Sequence, residues 1–244
     1  GNVERVIVGN EVLLRGDLSA AALIADIARV RAALAVPVST AEPWHVWLKH
    51  PELARAVDYI TVHLLPYWEG QPRDQALAFT MDKLAEVQAA YPGKKIYFTE
   101  QYTGGPGNFS GDLNWHVKNL IIGATRNWSR NVLEWNLASD PSYGPHTAGG
   151  CTNCMGALTI SPSVTRNVSY YVIASASKFV RPGSVRIASN IPGQLENVAF
   201  LRPDGRKVLI VLNDSDASAS FNIAFDGRYM HAQLRPRSVG TYVW

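Results

Sequence analysis

Two periods of apolar residues divide the chain. In the first three quarters, short β-branched or aromatic runs alternate with stretches whose apolar positions recur at helical spacing. The runs are Val3–Glu11, Val36–Thr40, Tyr59–Leu65, Lys95–Glu100 and Asn131–Leu137. Between them, Ala20–Leu34 places Leu23, Ile24, Ile27, Val30 and Leu34 on one helical face, and Asp17 and Ser19 offer caps at its start. Pro51–Val57 predicts a short helix, and Asp74–Ala90 an amphipathic one stopped by Pro92-Gly93. Asp112–Arg126 and Thr165–Phe179 read as further helices. Strand–helix alternation repeated in this way predicts a parallel sheet wrapped by helices.

The pattern changes at Arg181-Pro182-Gly183. Beyond it, Asn197–Leu201, Val208–Leu212, Phe221–Phe225 and Thr241–Trp244 read as short strands, and Pro203-Asp204-Gly205 as a hairpin turn. The expected organisation is a partial (β/α) barrel over residues 1–181 and an antiparallel β side domain over 182–244. A β unit of that size is near the lower limit for a core of its own, so it is expected to pack against the helical layer.

Two of the runs end in a carboxyl group. Val6-Ile7-Val8-Gly9-Asn10 leads to Glu11, and Ile96-Tyr97-Phe98-Thr99 leads to Glu100. Both runs read as buried parallel strands, and barrel enzymes place their catalytic groups where strands end. Two carboxyls in such positions match the equipment of a glycosidase: Glu11 as acid/base and Glu100 as nucleophile. Asn10 would supply an amide to a substrate hydroxyl beside the reacting carbon. Aromatic and imidazole groups gather at the same strand ends. Trp44, His45 and Trp47 follow the second run, His63, Tyr67 and Trp68 the third, and Trp135 and Asn136 close the fifth. Trp44, His45, His63, Tyr67, Trp68, Tyr102 and Trp135 are the candidate sugar contacts, with Tyr67 or Tyr102 placed to orient the nucleophile. Glu42, Glu69 and Glu134 are rival carboxylates.

Composition narrows the classes. The 244 residues are 47% hydrophobic and 18% charged, which argues against disorder. Net charge is +3 and the basic residues are scattered, so nucleic acid is not an expected partner. Seven Trp and ten Tyr supply flat amphipathic rings of the kind that stack on sugars. No apolar run reaches the roughly eighteen residues of a membrane span. Cys151 and Cys154 are the only cysteines, too few for a zinc site, and are expected to form a short disulfide. That pairing suggests an oxidising compartment, secreted or periplasmic, for which the leader would lie outside this sequence. No cofactor and no metal site is expected.

The motifs resemble two known families. VIVGNEVLLRG (6–16), PVSTAEPWHVWL (37–48) and VHLLPYWEG (62–70) resemble the bacterial branch of glycoside hydrolase family 17, the β-1,3-glucanase-like proteins. From Tyr97 the likeness changes. YFTEQ (97–101), NFSGDLNWHVKNLIIGATRNW (108–128), WNLA (135–138), GCTNC (150–154), SKFVRPG (177–183) and NVAFLRPDG (197–205) resemble glycoside hydrolase family 30, which includes glucosylceramidases and β-1,6-glucanases. The first resemblance covers residues 1–95 and the second 96–244. They imply Glu11 as acid/base, from the Gly-Asn-Glu motif, and Glu100 as nucleophile, from the Thr-Glu motif. Both families belong to one clan of retaining enzymes with (β/α)8 barrels, in which these groups end strands four and seven. The resemblance thus implies strands four to eight of a TIM-type barrel followed by a β-sandwich. The function it implies is hydrolysis of a β-1,3- or β-1,6-linked glucan or a β-glucoside, or transfer of the glycosyl group to another sugar. The alternative is a non-catalytic carbohydrate-binding or self-assembling half-barrel. In either case the open sheet edges are expected to pair, with a second copy or with the rest of a barrel.

Overall fold

The computed structural model describes residues 3–72, 74–98, 101–146 and 150–244. The chain forms two compact units, Gly1–Gln101 and Tyr102–Trp244.

The first unit is a parallel sheet in the order β1 (Val6–Asn10), β2 (Val38–Pro43), β3 (Ile60–His63), β4 (Ile96–Phe98). Every neighbouring pair is parallel. Four helices connect the strands: α1 (Ala20–Ala33), α2 (Trp44–Lys49), α3 (Pro51–Ala56) and α4 (Ala76–Ala90). Ser19 caps α1 by accepting a hydrogen bond from the Ala22 N–H. Leu23 and Ile27 of α1, Trp47 of α2, Leu53 of α3 and Leu84 and Val87 of α4 pack with Val38, Ile60 and Val62 of the sheet. The Trp47 indole, fully buried, donates to the Thr61 carbonyl at 3.0 Å. The other sheet face is more polar. The Ser39 hydroxyl donates to the Tyr59 carbonyl at 2.6 Å, and Tyr59 meets the Tyr97 ring edge-on.

Three sequence expectations change here. The second strand runs on to Pro43, and Trp44–Lys49 is a helix rather than an exit loop. Proline at the N-cap closes the strand without disturbing the helix, whose first turn has no partner for that N–H anyway. The first strand is not buried throughout: its residues alternate, with Ile7 exposed. As the outermost strand, β1 has β2 as its one strand neighbour among the described residues.

In the second unit, α5 (Phe109–His116) begins at Asn108, whose side chain accepts from the Gly111 N–H, and continues as a π-helix over Val117–Ala124. Helix α6 spans Val168–Ser177 and is preceded by strand β9 (Ser163–Arg166), so the helix expected from Thr165 starts three residues later. The strand expected over 131–137 does not form. That stretch makes one bridge, Tyr102 to Trp135, before the two-residue strand β6 (Ala138–Ser139). Polar side chains at Asn131, Glu134 and Asn136 break the apolar run that a central strand needs. The remaining short strands are β5 (Thr103–Gly104), β7 (Cys154–Met155) and β8 (Leu158–Ser161).

An antiparallel sheet follows, in the order β10 (Val185–Ile187), β11 (Leu195–Leu201), β12 (Lys207–Asn213), β15 (Val239–Val243). The turn at Pro203-Asp204-Gly205 joins β11 and β12. One face, with Val198, Phe200, Val208, Ile210 and Leu212, packs on Val117, Ile121 and Ile122 of the π-helix and Val168 and Val172 of α6. The opposite face, with Val211 and Leu209, packs on the hairpin β13 (Ala219–Phe225) and β14 (Arg228–Leu234) through Phe221 and Leu234. The period of two along β12 feeds both cores. The expected packing of the β region against a helical layer is what the second unit shows. Among the described residues no helix is long and apolar enough to cross a membrane.

Candidate functional site

The carboxyl end of β1 departs from regular strand geometry. Its register against β2 shifts between Ile7 and Asn10. Gly9 sits at φ 81°, and a Cβ there would meet Val12 Cγ2 at 2.5 Å. Glu11 itself is left-handed, at φ 54°. A non-glycine residue in that region costs about 1–2 kcal/mol and persists where its surroundings hold it. Here the Glu11 N–H donates to the Ala41 carbonyl at 2.8 Å, and the Glu11 carbonyl accepts from Arg15 at 3.0 Å, opening a tight turn over 12–16.

The Glu11 carboxylate reaches His63, the last residue of β3. Nδ1 of the ring lies 2.7 Å from Oε1. The imidazole is buried and the carboxylate about one-fifth exposed, so the pair stands at the rim of the sheet with its acid toward solvent.

Glu42, at the end of β2, is fully buried. Its Oε1 accepts from the Leu13 N–H at 2.8 Å and its Oε2 from the Leu14 N–H at 3.3 Å. Burial raises its pKa above the ordinary carboxylate value, the two N–H groups oppose the rise, the Glu11 charge adds to it and His63 counters it. Glu42 pairs in register with Val62, and Pro43 with His63. Residues directly opposite share a face, so Glu42 leaves β2 on the helix-covered side with Val62, whereas His63 leaves β3 on the other. Both Glu42 oxygens are taken by backbone, which sets it apart from Glu11. Glu100 follows the last residue of β4 by two positions and lies outside the described residues.

The aromatic candidates divide into supports and exposed rings. The Trp44 indole N–H donates to both Glu69 oxygens, at 2.8 and 3.0 Å. The Lys83 ammonium sits 4.7 Å from the Trp44 ring centroid, and Phe79 meets the ring edge-on. Trp44 and the rival carboxylate Glu69 therefore brace the turn at 66–70. On that turn Tyr67 and Trp68 are 76% and 60% exposed, with ring centroids 5.3 Å apart. His45 is exposed on α2. Asn10 is half-buried and pairs with Ala41.

In the second unit, Tyr102 bridges to Trp135, whose ring is 40% exposed. The rival carboxylate Glu134 points the other way. It is buried and bonded to His116 Nδ1 at 2.8 Å. Cys151 and Cys154 are joined in a disulfide with a Cα separation of 5.6 Å. Among the described residues, no group of three or more His, Cys, Asp or Glu could hold a metal ion.

Comparison with known proteins finds two matches along the chain. Residues 1–106 match the BtgE/BtgC glycoside hydrolase domain, and residues 183–242 the glycosyl hydrolase family 30 beta sandwich domain. Endo-1,6-beta-D-glucanase neg1 of Aspergillus fumigatus is 32% identical over 139 residues, 53% of this chain and 27% of the glucanase. The chain thus spans about a quarter of the length of that relative. Among solved structures, the endo-beta1,6-glucanase BT3312 has a similar fold: TM-score 0.68 at 24% identity, over 88% of this chain and 49% of that one. The family 17 beta-1,3-glucanosyltransferase of Rhizomucor miehei has a TM-score of 0.50 at 25% identity, over 65% of this chain and 60% of that one. Two glycoside hydrolase likenesses therefore meet in one chain, a BtgE/BtgC glycoside hydrolase domain over residues 1–106 and a family 30 beta sandwich domain over residues 183–242.

Proposed function

We propose that this chain carries the catalytic groups of a retaining β-glucan hydrolase, with Glu11 as acid/base and Glu100 as nucleophile. The observation that carries the proposal is Glu11 itself. It is held in a left-handed conformation at the carboxyl edge of a parallel sheet and bonded to a buried histidine from two strands away. Glu100 follows the strand three positions across that sheet. In a double displacement, Glu100 attacks the anomeric carbon while Glu11 protonates the departing oxygen. Glu11 then deprotonates the water, or the sugar hydroxyl, that releases the glycosyl group. A retaining geometry requires the two carboxyls about 5–5.5 Å apart.

In this account β1 to β4 correspond to strands four to seven of a barrel, residues 1–181 are its barrel part and 182–244 its side domain. Asn10, His45, Tyr67 and Trp68 contact sugar, the last two as a stacking platform. Trp135 and Tyr102 of the second unit are assigned the same role. The edge of β1 that faces away from β2 is covered by a second copy or by the rest of a barrel. The disulfide supports an oxidising compartment, outside the cell or in the periplasm. The substrate is a β-1,3- or β-1,6-linked glucan. Both linkages occur in the names of similar proteins.

The test compares the chain with Glu100→Gln on pustulan, laminarin and an aryl β-glucoside. Turnover by the unsubstituted chain, lost in the variant with glucan binding retained, is the expected result. Equal binding and no turnover in both would instead support a carbohydrate-binding protein without catalysis.

A further inference from the structure

We propose that Glu42 is a positioning residue for Glu11: it fixes the turn that aims the acid/base carboxyl, without touching substrate. This rests on the hydrolase proposal above.

The turn after β1 has two N–H groups, Leu13 and Leu14, that point back along the strand ends. In most turns water or a local Ser or Asp satisfies such groups. Here the acceptor comes from 29 and 28 residues away, on the neighbouring strand. A fully buried carboxylate is costly unless bonded, and an apolar side chain would fill the same space beside Val62 without that cost. The Glu42 bonds therefore offset a penalty that packing alone does not require.

What the carboxylate adds is direction. The 12–16 turn is closed internally by Gly16 N–H to the Leu13 carbonyl at 3.1 Å and Asp17 N–H to the Val12 carbonyl at 2.9 Å. Those bonds fix its shape but not its place on the sheet. Two anchors tie it to β2: the Glu11 N–H on Ala41, and Glu42 on Leu13 and Leu14. Releasing the second lets the turn pivot about the first, and Glu11 lies on the pivot. Its left-handed backbone relaxes, and the carboxyl leaves its 2.7 Å contact with His63. Because Glu42 shares its strand face with Val62 and not with His63, it acts on Glu11 through the backbone and not as a third reacting carboxyl.

The isosteric variant Glu42→Gln keeps one acceptor and sets an N–H₂ against one of the two N–H groups. The whole chain is compared with this variant and with Ile27→Ala, a buried change on α1 that lowers stability and leaves Glu42 in place. Two β-glucosides serve as probes: a dinitrophenyl glucoside, whose leaving group departs unprotonated, and a phenyl glucoside, whose leaving group needs the proton. In Glu42→Gln, kcat/KM for the phenyl glucoside is expected to fall about ten- to a hundredfold, the scale of a displacement near 1 Å. For the dinitrophenyl glucoside it changes by less than about threefold, because that step uses no general acid. Added azide, a nucleophile that needs no general base, restores kcat on the dinitrophenyl substrate. Ile27→Ala shifts both substrates alike. Equal losses on the two substrates in Glu42→Gln, or no loss on either, would overturn the assignment.

An inactive unsubstituted chain would overturn the hydrolase proposal separately. Amide exchange then decides the role of Glu42. Faster exchange at Leu13 and Leu14 in Glu42→Gln, with the β2 amides unchanged, supports its hold on the turn. Unchanged exchange at both removes it.

Discussion

Replacing His63 by Phe removes the imidazole that meets the Glu11 carboxylate at 2.7 Å while keeping a ring in a buried site. A hydrogen bond to a charged group contributes about 1.5–3 kcal/mol. At about 1.36 kcal/mol per tenfold, that range corresponds to a rate loss of roughly 10- to 150-fold. The structure argues for the lower half. The Glu11 side chain is about one-fifth exposed, so water replaces part of what the imidazole gave. The expected fall in kcat/KM on a phenyl β-glucoside is therefore about 10- to 30-fold. His63→Gln, which can still present an N–H toward Glu11, is expected to lose less. The assay is phenol release at saturating and limiting substrate, with a melting curve for each variant to confirm folding. A folded His63→Phe chain within twofold of the parent would refute the idea that His63 holds the acid/base.

Three further outcomes follow from the geometry. Gly9→Ala forces a side chain into a left-handed position and against Val12, so it is expected to cost about 2 kcal/mol or more in urea unfolding and to lower activity with it; a loss below about 0.5 kcal/mol would contradict the tight packing of Val12 on a left-handed Gly9. Glu69→Gln weakens the brace on Trp44 beneath the exposed Tyr67–Trp68 pair, so KM for a glucan is expected to rise about three- to tenfold with kcat little changed, read from initial rates on oligosaccharides; an unchanged KM would detach that turn from substrate binding. In the second unit, burial works to raise the Asp214 pKa, but Lys118, Asn114 and Arg237 outweigh it and hold the carboxyl below its ordinary value. Folding therefore favours the ionised form, and the stability it contributes is present at neutral pH and lost as pH falls through about 4 and below. Melting curves from pH 7 to 3 are expected to show a shallower acid decline in Asp214→Asn, and an identical decline would refute the assignment.

The sequence is most legible where one element owes its form to its own residues. Ala20–Leu34 shows its apolar face and its Ser19 cap, and α1 follows both. The β11–β12 hairpin is announced by Pro203-Asp204-Gly205 between two apolar runs. Glu11 is visible because Gly-Asn-Glu ends a strand-like run, although its left-handed backbone is not. Legibility fails where tertiary contacts decide. Residues 131–137 mix Val132, Leu133, Trp135 and Leu137 with polar Asn131, Glu134 and Asn136; Glu134 turns inward to His116 and a single bridge forms. Strand β14, Arg-Tyr-Met-His-Ala-Gln-Leu, escapes notice because it is largely exposed on both faces and so lacks alternation. Glu42 is the clearest case in the candidate site. A glutamate before Pro43 looks like a loop carboxylate, and only its bonds to Leu13 and Leu14 mark it as a buried anchor.

The central claim is that Glu11 and Glu100 form a retaining pair, and covalent trapping tests it most directly. A 2-deoxy-2-fluoro-β-glucoside with a dinitrophenyl leaving group slows the second step more than the first, so the glycosyl-enzyme accumulates. Intact-mass measurement followed by peptide mapping is predicted to show one fluoroglucosyl group, attached to Glu100. A label on Glu42, Glu69 or Glu134, or turnover of the parent glucoside to the α-anomer with no label at all, would contradict the account.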